Sequence, residues 1–538
     1  MASAFSPKAL AGQALLSRAP LGLATLVLAV PLAAAALSAV FAGGGEAWQH
    51  IVSTDLLRFS LTTAVVLVLT ALLVIAAAIP AAWLVTMHAF PGRGLFEWLL
   101  ILPLAAPGYV VAFAYSDLMG VAGPLQSAVR EATGLGARDY WFPDINSPAG
   151  LAFILAGTLY PYVYLSARAA FTTTSVCAIE AARTLGTPPL RTIWRVALPA
   201  ARPAIAAGLA LALMEAAADF GAADYLGVRT LTVGLFRAWS SFGDAGAAAR
   251  MAMLLLVLAA ALQWIERGQR GRAGSEATSK RWRQIERTPL PAGPGALAAL
   301  FCFGLVVWGF GAPLLRLGWI ALETGHRGAG LWGPLATSLT LAALGTAVCV
   351  MLGLSVALGV RRGGALAQLA RSVLAGGYAV PGAVLALGAI VAAATFQINL
   401  VGPFAVLLLV WVYACRFTTA GAEPIGAALA RAPASMGDAA RALSQSPAQR
   451  IWRVELPVAR SGAWVAALIL FVEILKELPA TLMLRPANWD TLAVRAYDYA
   501  SDERLAAAAL PCLMIVAAGL APVLVLSWQL ARSRPGQP

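Results

Sequence analysis

The stretch IWRVALP at Ile193–Pro199 recurs 258 residues later as IWRVELP at Ile451–Pro457. At this offset, residues 180–239 align on residues 438–497 without a gap. A long segment that occurs twice at a fixed offset is the signature of a duplicated unit. The sequence therefore predicts two tandem halves of the same topology, and the rest of the chain fits this division.

The composition excludes several classes of protein. Hydrophobic residues make up 60% of the 538 residues, charged residues only 12%, and the mean hydropathy is +0.78. A soluble domain carries about 25% charged residues and cannot hide so much apolar surface. A disordered chain needs low hydrophobicity, and an outer-membrane barrel needs alternating polarity rather than continuous apolar runs. We expect an all-α polytopic membrane protein.

Twelve apolar segments, six in each half, are long enough to cross roughly 30 Å of hydrocarbon as helices. The first runs about 22 residues, longer than the 7–15 residues of a signal-peptide core, so we expect it to be retained. The predicted units are residues 1–265, a basic flexible linker at 266–294, and residues 295–538. The spans lie near 21–42, 60–87, 95–118, 149–170, 200–220, 247–265, 295–321, 335–360, 365–395, 400–421, 462–485 and 505–530.

The charges predict the orientation. Most of the 38 Lys and Arg residues fall in segments that share one side of the membrane if both termini do; these include 168–202, the linker, 361–371 and 416–460. Cytoplasmic segments carry such an excess, so we expect cytoplasmic N- and C-termini. The net charge of +13 then reflects topology and membrane lipid, and no nucleic-acid partner is expected.

Each copy of the repeat contains a predicted cytoplasmic loop. A short helical stretch (179–185 and 437–443) is followed by proline and by a basic amphipathic stretch that ends in Leu-Pro. Pro199 and Pro457 suit the first turn of the next helix, where no backbone N–H is needed. Such a helix could simply grip lipid headgroups through its arginines. Two copies at matching positions favour docking of a two-fold symmetric partner.

These loops resemble the EAA loop of ATP-binding-cassette importer permeases. The second copy departs from the pattern, with Asp438 in place of Glu and Ser444 in place of Gly. In that family the loop forms a coupling helix that sits in a groove of a cytoplasmic ATPase dimer. The resemblance implies this role for Glu180, Ala181, Ala182, Gly186, Leu198 and Pro199, and for Asp438, Ala439, Ala440, Leu456 and Pro457.

A narrower resemblance is to fused ferric-iron permeases of this superfamily. It is carried by Lys476–Leu482 with Leu484–Pro486, by Tyr160–Tyr164, by Asp219–Ala222, and by Asp490–Ala493 with Tyr499–Glu503. It implies a bacterial inner membrane protein that receives iron from a periplasmic binding protein. The chain has no GxxxxGK[ST] nucleotide loop, so ATP and magnesium are expected on the partner ATPase. We expect a transport subunit without enzymatic activity or cofactor.

Five ionisable residues inside predicted spans are candidates for the translocation path or its gate: Glu215, Asp219, Glu473, Lys476 and Glu477. The repeat aligns the first two acids with Glu473 and Glu477, and each i, i+4 pair would share one helix face. Four carboxylates could then surround the pseudo-twofold axis.

Glu473 and Glu477 are candidate transient ligands for a hard cation, which prefers oxygen atoms; no Cys or His cluster competes with them. The alternative is a packing role. Lys476 would then neutralise Glu473, and Glu477 would bond Arg485 or another helix.

Two further features have open interpretations. Tyr160, Tyr162 and Tyr164 are expected to form an interfacial aromatic belt. Pro107-Gly108 and Pro381-Gly382 lie in the third span of each half, where a kink would mark a pathway or hinge or simply helix packing.

The sequence thus favours the permease subunit of an ATP-driven importer of ferric iron that works by alternating access. The alternatives are another cargo (thiamine, a polyamine, or an oxyanion, which would suit embedded carboxylates poorly) and a gradient-driven secondary transporter. In the secondary transporter, Glu473, Lys476 and Glu477 would form a proton relay.

Overall fold

The computed structural model describes residues 7–41, 43, 45–173, 189–271, 287–325, 330–361, 363–398, 402–431, 436 and 447–532. Within these ranges the chain is helical apart from loops and two strands of two residues each. Ten helical segments of the described chain are long and apolar enough to cross a membrane, or eleven if one sharply bent pair counts as a span. The predicted all-α polytopic class is confirmed.

Among the described residues, the first half contains twelve α-helices and the first strand. They are α1 (Pro7–Phe41), α2 (Glu46–His50), α3 (Leu56–Met87), β1 (His88–Ala89), α4 (Arg93–Leu99), α5 (Gly108–Met119), α6 (Pro124–Thr133), α7 (Pro148–Thr173), α8 (Pro189–Thr192), α9 (Leu198–Ala218), α10 (Gly221–Tyr225), α11 (Leu231–Ser240) and α12 (Ala245–Gly271).

The described part of the second half contains the second strand and eleven α-helices. Its elements are β2 (Thr288–Pro289), α13 (Ala292–Val306), α14 (Ala312–Thr324), α15 (Trp332–Arg361), α16 (Ala365–Ala379), α17 (Gly382–Thr395), α18 (Pro403–Ala430), α19 (Pro447–Arg450), α20 (Leu456–Leu475), α21 (Pro479–Leu484), α22 (Leu492–Ser501) and α23 (Leu505–Arg532). Short π-helical turns at Ile193–Ala197 and Ile451–Glu455 lead into α9 and α20.

Two of the twelve predicted spans are broken, which explains the lower count. In the first half, residues 93–105 and 108–133 meet at an angle of 94°. In the second half, α16 ends at Ala379 and α17 has only 14 residues. The residues that precede Pro107 and Pro381 are extended, with ψ of 117° and 131°, because a proline ring disfavours the helical region for its predecessor. The predicted kinks are confirmed as complete breaks.

The first span of each half packs against the other half. Helix α1 lies on α15–α18, and the Trp411 indole donates to the Val27 carbonyl at 3.0 Å. Helix α14 and the π turn at Val307–Gly311 lie on α5 and α7, and the Tyr115 hydroxyl donates to the Trp308 carbonyl at 2.7 Å. The first helices of each half therefore pack against the other half.

Both ends of the predicted linker belong to the fold. Helix α12 continues to Gly271, six residues beyond its predicted end at residue 265. At the other end, β2 pairs in parallel with β1, and the Leu290 amide donates to the Ala89 carbonyl at 3.0 Å. The central linker residues 272–286 lie outside the described ranges.

The repeat contains an insertion that the ungapped alignment missed. Thr230 caps α11 by accepting a bond from the Val233 amide, and Thr491 caps α22 in the same way from Val494. These threonines are 261 residues apart rather than 258, so the connection before α22 is three residues longer. The predicted alignment of residues 180–239 on 438–497 is therefore wrong beyond α10 and α21, and the two capped helices match at the new offset.

Candidate translocation site

The long helix α9 ends directly before a carboxylate. Asp219 leaves the helical conformation, with ψ of 124°, and its Oδ1 accepts bonds from the Ala222 and Ala223 amides at 3.0 and 3.2 Å. These amides begin α10, where backbone N–H groups lack helical partners. Glu215 lies within α9 and Asp219 beyond it, so the predicted arrangement of both acids on one helix face is wrong.

The second half repeats this arrangement. Glu477 follows the end of α20 and is 5% exposed. Its Oε1 accepts from the Ala480 amide at 3.0 Å, and its Oε2 accepts from the Thr481 amide at 3.0 Å and the Thr481 hydroxyl at 2.7 Å. Proline at 479 starts α21 without leaving an unused N–H. In both halves the acid ties the end of a membrane helix to the start of a short one.

The Pro-Gly breaks lie against these carboxylates. A Cβ atom added to Gly108 would lie 3.0 Å from Asp219 Oδ2, and one added to Gly382 would lie 2.5 Å from Glu477 Oε1. Both breaks thus bring the backbone close to a carboxylate, and the approach is tighter at Gly382 than at Gly108.

A cavity of about 100 Å³ opens between the halves at this level. All five ionisable residues singled out in the sequence line it, together with Arg416. Its other lining residues include Tyr109, Thr158 and Tyr162. The structure therefore brings the four carboxylates around one space, and their role in transport stays a prediction.

Arg416 lies in the membrane-spanning part of the chain, although the sequence predicted a cytoplasmic position for it. It was counted in a cytoplasmic segment, but it lies within α18 and is 7% exposed. Its guanidinium lies 3.6 Å from the Glu215 carboxylate of the first half and 3.3 Å from Glu477 of the second. A lone arginine inside an otherwise apolar run was the available signal.

The ion pairs expected under the packing interpretation are partly present. Lys476 Nζ lies 2.8 Å from Glu473 Oε1, which confirms that local pair. Of the two partners offered for Glu477, Arg485 is wrong, because it pairs with Asp490 at 2.6 Å and Asp498 at 3.4 Å, and another helix is confirmed, because Arg416 lies 3.3 Å from Glu477.

The proposed metal ligands Glu473 and Glu477 are each engaged with protein donors. Among the described residues, no three or more His, Cys, Asp or Glu side chains are grouped to hold a metal ion. A cation would have to replace the Lys476 contact of Glu473 and the four contacts of Glu477. The metal assignment stays a prediction, and the present arrangement offers no preformed site for it.

A second cavity of about 810 Å³ adjoins the first and shares Leu104, Tyr162 and Glu473 with it. It is lined as far as Glu266 and Arg267, near the end of α12, and Glu423 on α18. These helices lead to the linker and to the second repeated loop. The two cavities thus form a series from the acidic cluster towards the predicted cytoplasmic side.

The tyrosines do not form the expected interfacial belt. Tyr160 and Tyr164 are fully buried; Tyr160 stacks on Trp308, and the Tyr164 hydroxyl donates to the Glu97 carbonyl at 3.2 Å. Their i, i+4 spacing places both on the inner face of α7. Tyr162, on the other face, lines both cavities.

The repeated loops are described only at their ends. Residues 180–186 and 438–440, which include the acidic positions of the EAA resemblance, lie outside the described ranges. Leu198-Pro199 and Leu456-Pro457 form the first turns of α9 and α20, as expected. Trp194 and Trp452 occupy matching positions in the preceding π turns and are 67% and 71% exposed.

Comparison with known proteins supplies the family. Residues 75–271 match the family described as binding-protein-dependent transport system inner membrane component. The Fe(3+)-transport system permease protein FbpB 2 of Haemophilus influenzae is 24% identical over 452 residues, which cover 83% of this chain and 84% of that protein.

Two shorter relatives are named for the transport of other substances. The molybdenum transport system permease protein ModB of Escherichia coli is 28% identical over 203 residues, 36% of this chain and 86% of that protein. The sulfate transport system permease protein CysT of Salmonella typhimurium is 30% identical over 145 residues, 27% of this chain and 50% of that protein. Residues 75–271 of this chain of membrane helices thus match the binding-protein-dependent transport system inner membrane components, the family of permease subunits that the sequence resembles.

Proposed function

We propose that this chain is the transmembrane permease subunit of an ATP-driven importer for ferric iron. A periplasmic binding protein would deliver the iron, and a cytoplasmic ATPase dimer would drive transport through the two repeated loops. The observation that carries the proposal is the cavity between the halves, to which each half contributes two carboxylates at the end of the helix that leaves its loop.

The charge of the cavity supports a cationic cargo. Four carboxylates face two cationic side chains, which leaves an excess of two negative charges. Ferric iron is a hard cation that prefers oxygen ligands. The likeness to a ferric permease over most of both chains points to the same cargo.

An oxyanion is the second candidate, favoured by the ModB and CysT relatives and by Arg416 and Lys476 in the cavity. Arg416 and Lys476 are already engaged with carboxylates, at 3.3 and 2.8 Å. An anion would therefore compete with an excess of fixed negative charge, so we place ferric iron first.

The helices connect the loops to the cavity. Helix α9 runs for 21 residues from Leu198 to Ala218, and α20 for 20 residues from Leu456 to Leu475. At 1.5 Å per residue each spans about 30 Å. A movement that an ATPase imposes on both loops would thus be passed to Asp219 and Glu477 at the far ends.

The test is reconstitution in proteoliposomes with the ATPase and binding protein from the same gene neighbourhood. We expect ATP-dependent uptake of radioactive iron that requires both partners. Uptake of molybdate, sulfate, thiamine or a polyamine in place of iron would overturn the cargo. Transport that needs only an ion gradient would overturn the importer mechanism.

A further inference from the structure

The two halves contribute equal acids but unequal cations to the cavity. At the common offset of 258, Glu215 matches Glu473 and Asp219 matches Glu477. Arg416 and Lys476, however, both belong to the second half, and Lys476 aligns with Ala218 of the first. All of these residues line the cavity, so both cationic side chains in its lining come from the second half.

Arg416 supplies a cation to the first half from across the interface. Its Nη2 lies 3.6 Å from Glu215 Oε2, while its Nη1 lies 3.3 Å from Glu477 Oε1 within its own half. The Arg416 and Glu477 side chains are 9% and 2% exposed. One guanidinium thus bridges the two moving bodies of an alternating-access transporter.

A second observation points to a ligand at this place. Tyr109 follows the Gly108 break, lines the cavity and is 4% exposed. Its hydroxyl has no hydrogen-bond partner among the residues that the structure describes. Buried polar groups are nearly always hydrogen-bonded, and an exception calls for an explanation, of which a bound ion is one. A phenol oxygen beside carboxylates completes a set of hard oxygen ligands.

We propose that Glu215, Asp219 and the Tyr109 hydroxyl form a binding site for a hard metal cation, and that Arg416 occupies this site as a tethered counter-cation until the halves separate. Arg416 would stay with Glu477, since both belong to the second half, and would withdraw from Glu215. The site would therefore gain affinity only during transport, which prevents leakage and allows release. The inference rests on the proposed cation cargo.

The experiment measures binding of Tb³⁺, a hard trivalent probe, to the purified full-length chain in lipid nanodiscs by calorimetry. Arg416→Gln is expected to tighten Tb³⁺ binding by about tenfold, equivalent to about 1.4 kcal/mol. Adding Glu215→Gln or Tyr109→Phe should reverse the gain. Arg316→Gln, which removes an arginine paired with Asp117 outside the cavity, is the matched control and should leave binding unchanged.

Thr158→Arg is an independent arm in case Arg416→Gln does not fold. It places a second guanidinium on the first half's side of the cavity, which Thr158 lines, and should weaken Tb³⁺ binding by about tenfold. The proposal is overturned if neither Arg416→Gln nor Thr158→Arg changes affinity, or if Tyr109→Phe and Glu215→Gln bind like the parent chain. ATP-driven iron uptake with those null results would overturn this inference alone. The expected Tb³⁺ pattern without iron uptake would overturn the proposed function instead.

Discussion

Arg416 in the second half reaches Glu215 in the first half, with 3.6 Å between Nη2 and Oε2, while its Nη1 lies 3.3 Å from Glu477. The ion pair joins the two halves, and its Arg416 and Glu215 side chains are 9% and 17% exposed. A charge held in low-dielectric surroundings is stable only with its partners. The pairing therefore couples the stability of the closed cavity to the relative position of the two halves.

Breaking the ion pair between Arg416 and Glu477 should destabilise the protein strongly. Arg416→Met leaves the Glu477 carboxylate buried without its guanidinium, which typically costs about 3–5 kcal/mol. Adding Glu477→Gln removes the orphaned charge and should recover most of the loss. Thermal unfolding in detergent, read as a double-mutant cycle, measures the coupling. Additive effects of the two substitutions would show that the pair is energetically independent.

The glycine at the second break should not tolerate a side chain. A Cβ at position 382 would lie 2.5 Å from Glu477 Oε1 and 2.6 Å from Arg416 Nη1, so Gly382→Ala should cost about 1–3 kcal/mol and reduce uptake. Gly304→Ala is the matched control, because no heavy atom lies within 4 Å of its Cβ position. That helical substitution should be neutral or stabilising by about 0.5–1 kcal/mol. Equal tolerance at both positions would contradict the close packing.

Charge reversal in both repeated loops should uncouple transport. We expect Glu180→Lys with Asp438→Lys to insert normally in the membrane but to lose ATPase co-purification and iron uptake, because the paired loops are the proposed docking elements. Glu131→Lys with Asp502→Lys changes the net charge equally at exposed positions and serves as the control. Normal co-purification and uptake by the loop variant would refute the coupling role.

The acids of the second half should matter more for uptake than for folding. Glu473→Gln with Glu477→Gln keeps side-chain shape but removes two charges from the cavity, so iron uptake should fall further than the amount of protein in the membrane. Glu323→Gln at an exposed position should change neither quantity. If uptake and expression fall in parallel, the acids serve packing.

The two halves should remain associated after the linker is cut. Helix α1 lies on the second half, and α13–α14 lie on the first. Each half is therefore held in contact with helices of the other half. A protease site placed within residues 272–286 should give two fragments that elute together on size exclusion and retain ATP-dependent uptake. Separation of the fragments in mild detergent would show that the contacts of α1 and α13–α14 do not hold the halves together.

The sequence by itself determined the features that depend on composition and on short-range geometry. Continuous apolar runs require helices in lipid because backbone groups there must pair internally. Pro107 and Pro381 break their spans because a proline ring restricts the preceding residue. The Lys476–Glu473 pair was predictable because residues three apart on a helix are neighbours.

Only the tertiary structure decided which distant residues meet. Arg416 and Glu477 are 61 positions apart, and no periodicity relates them, so the sequence offered Arg485 or another helix as the partner of Glu477 and could not name Arg416. The packing of each half's first helices on the other half, and the burial of Tyr160, likewise depend on which surfaces meet. Such choices are made by the whole fold, because the cost of burying a charge or a ring is balanced by partners that any part of the chain can supply.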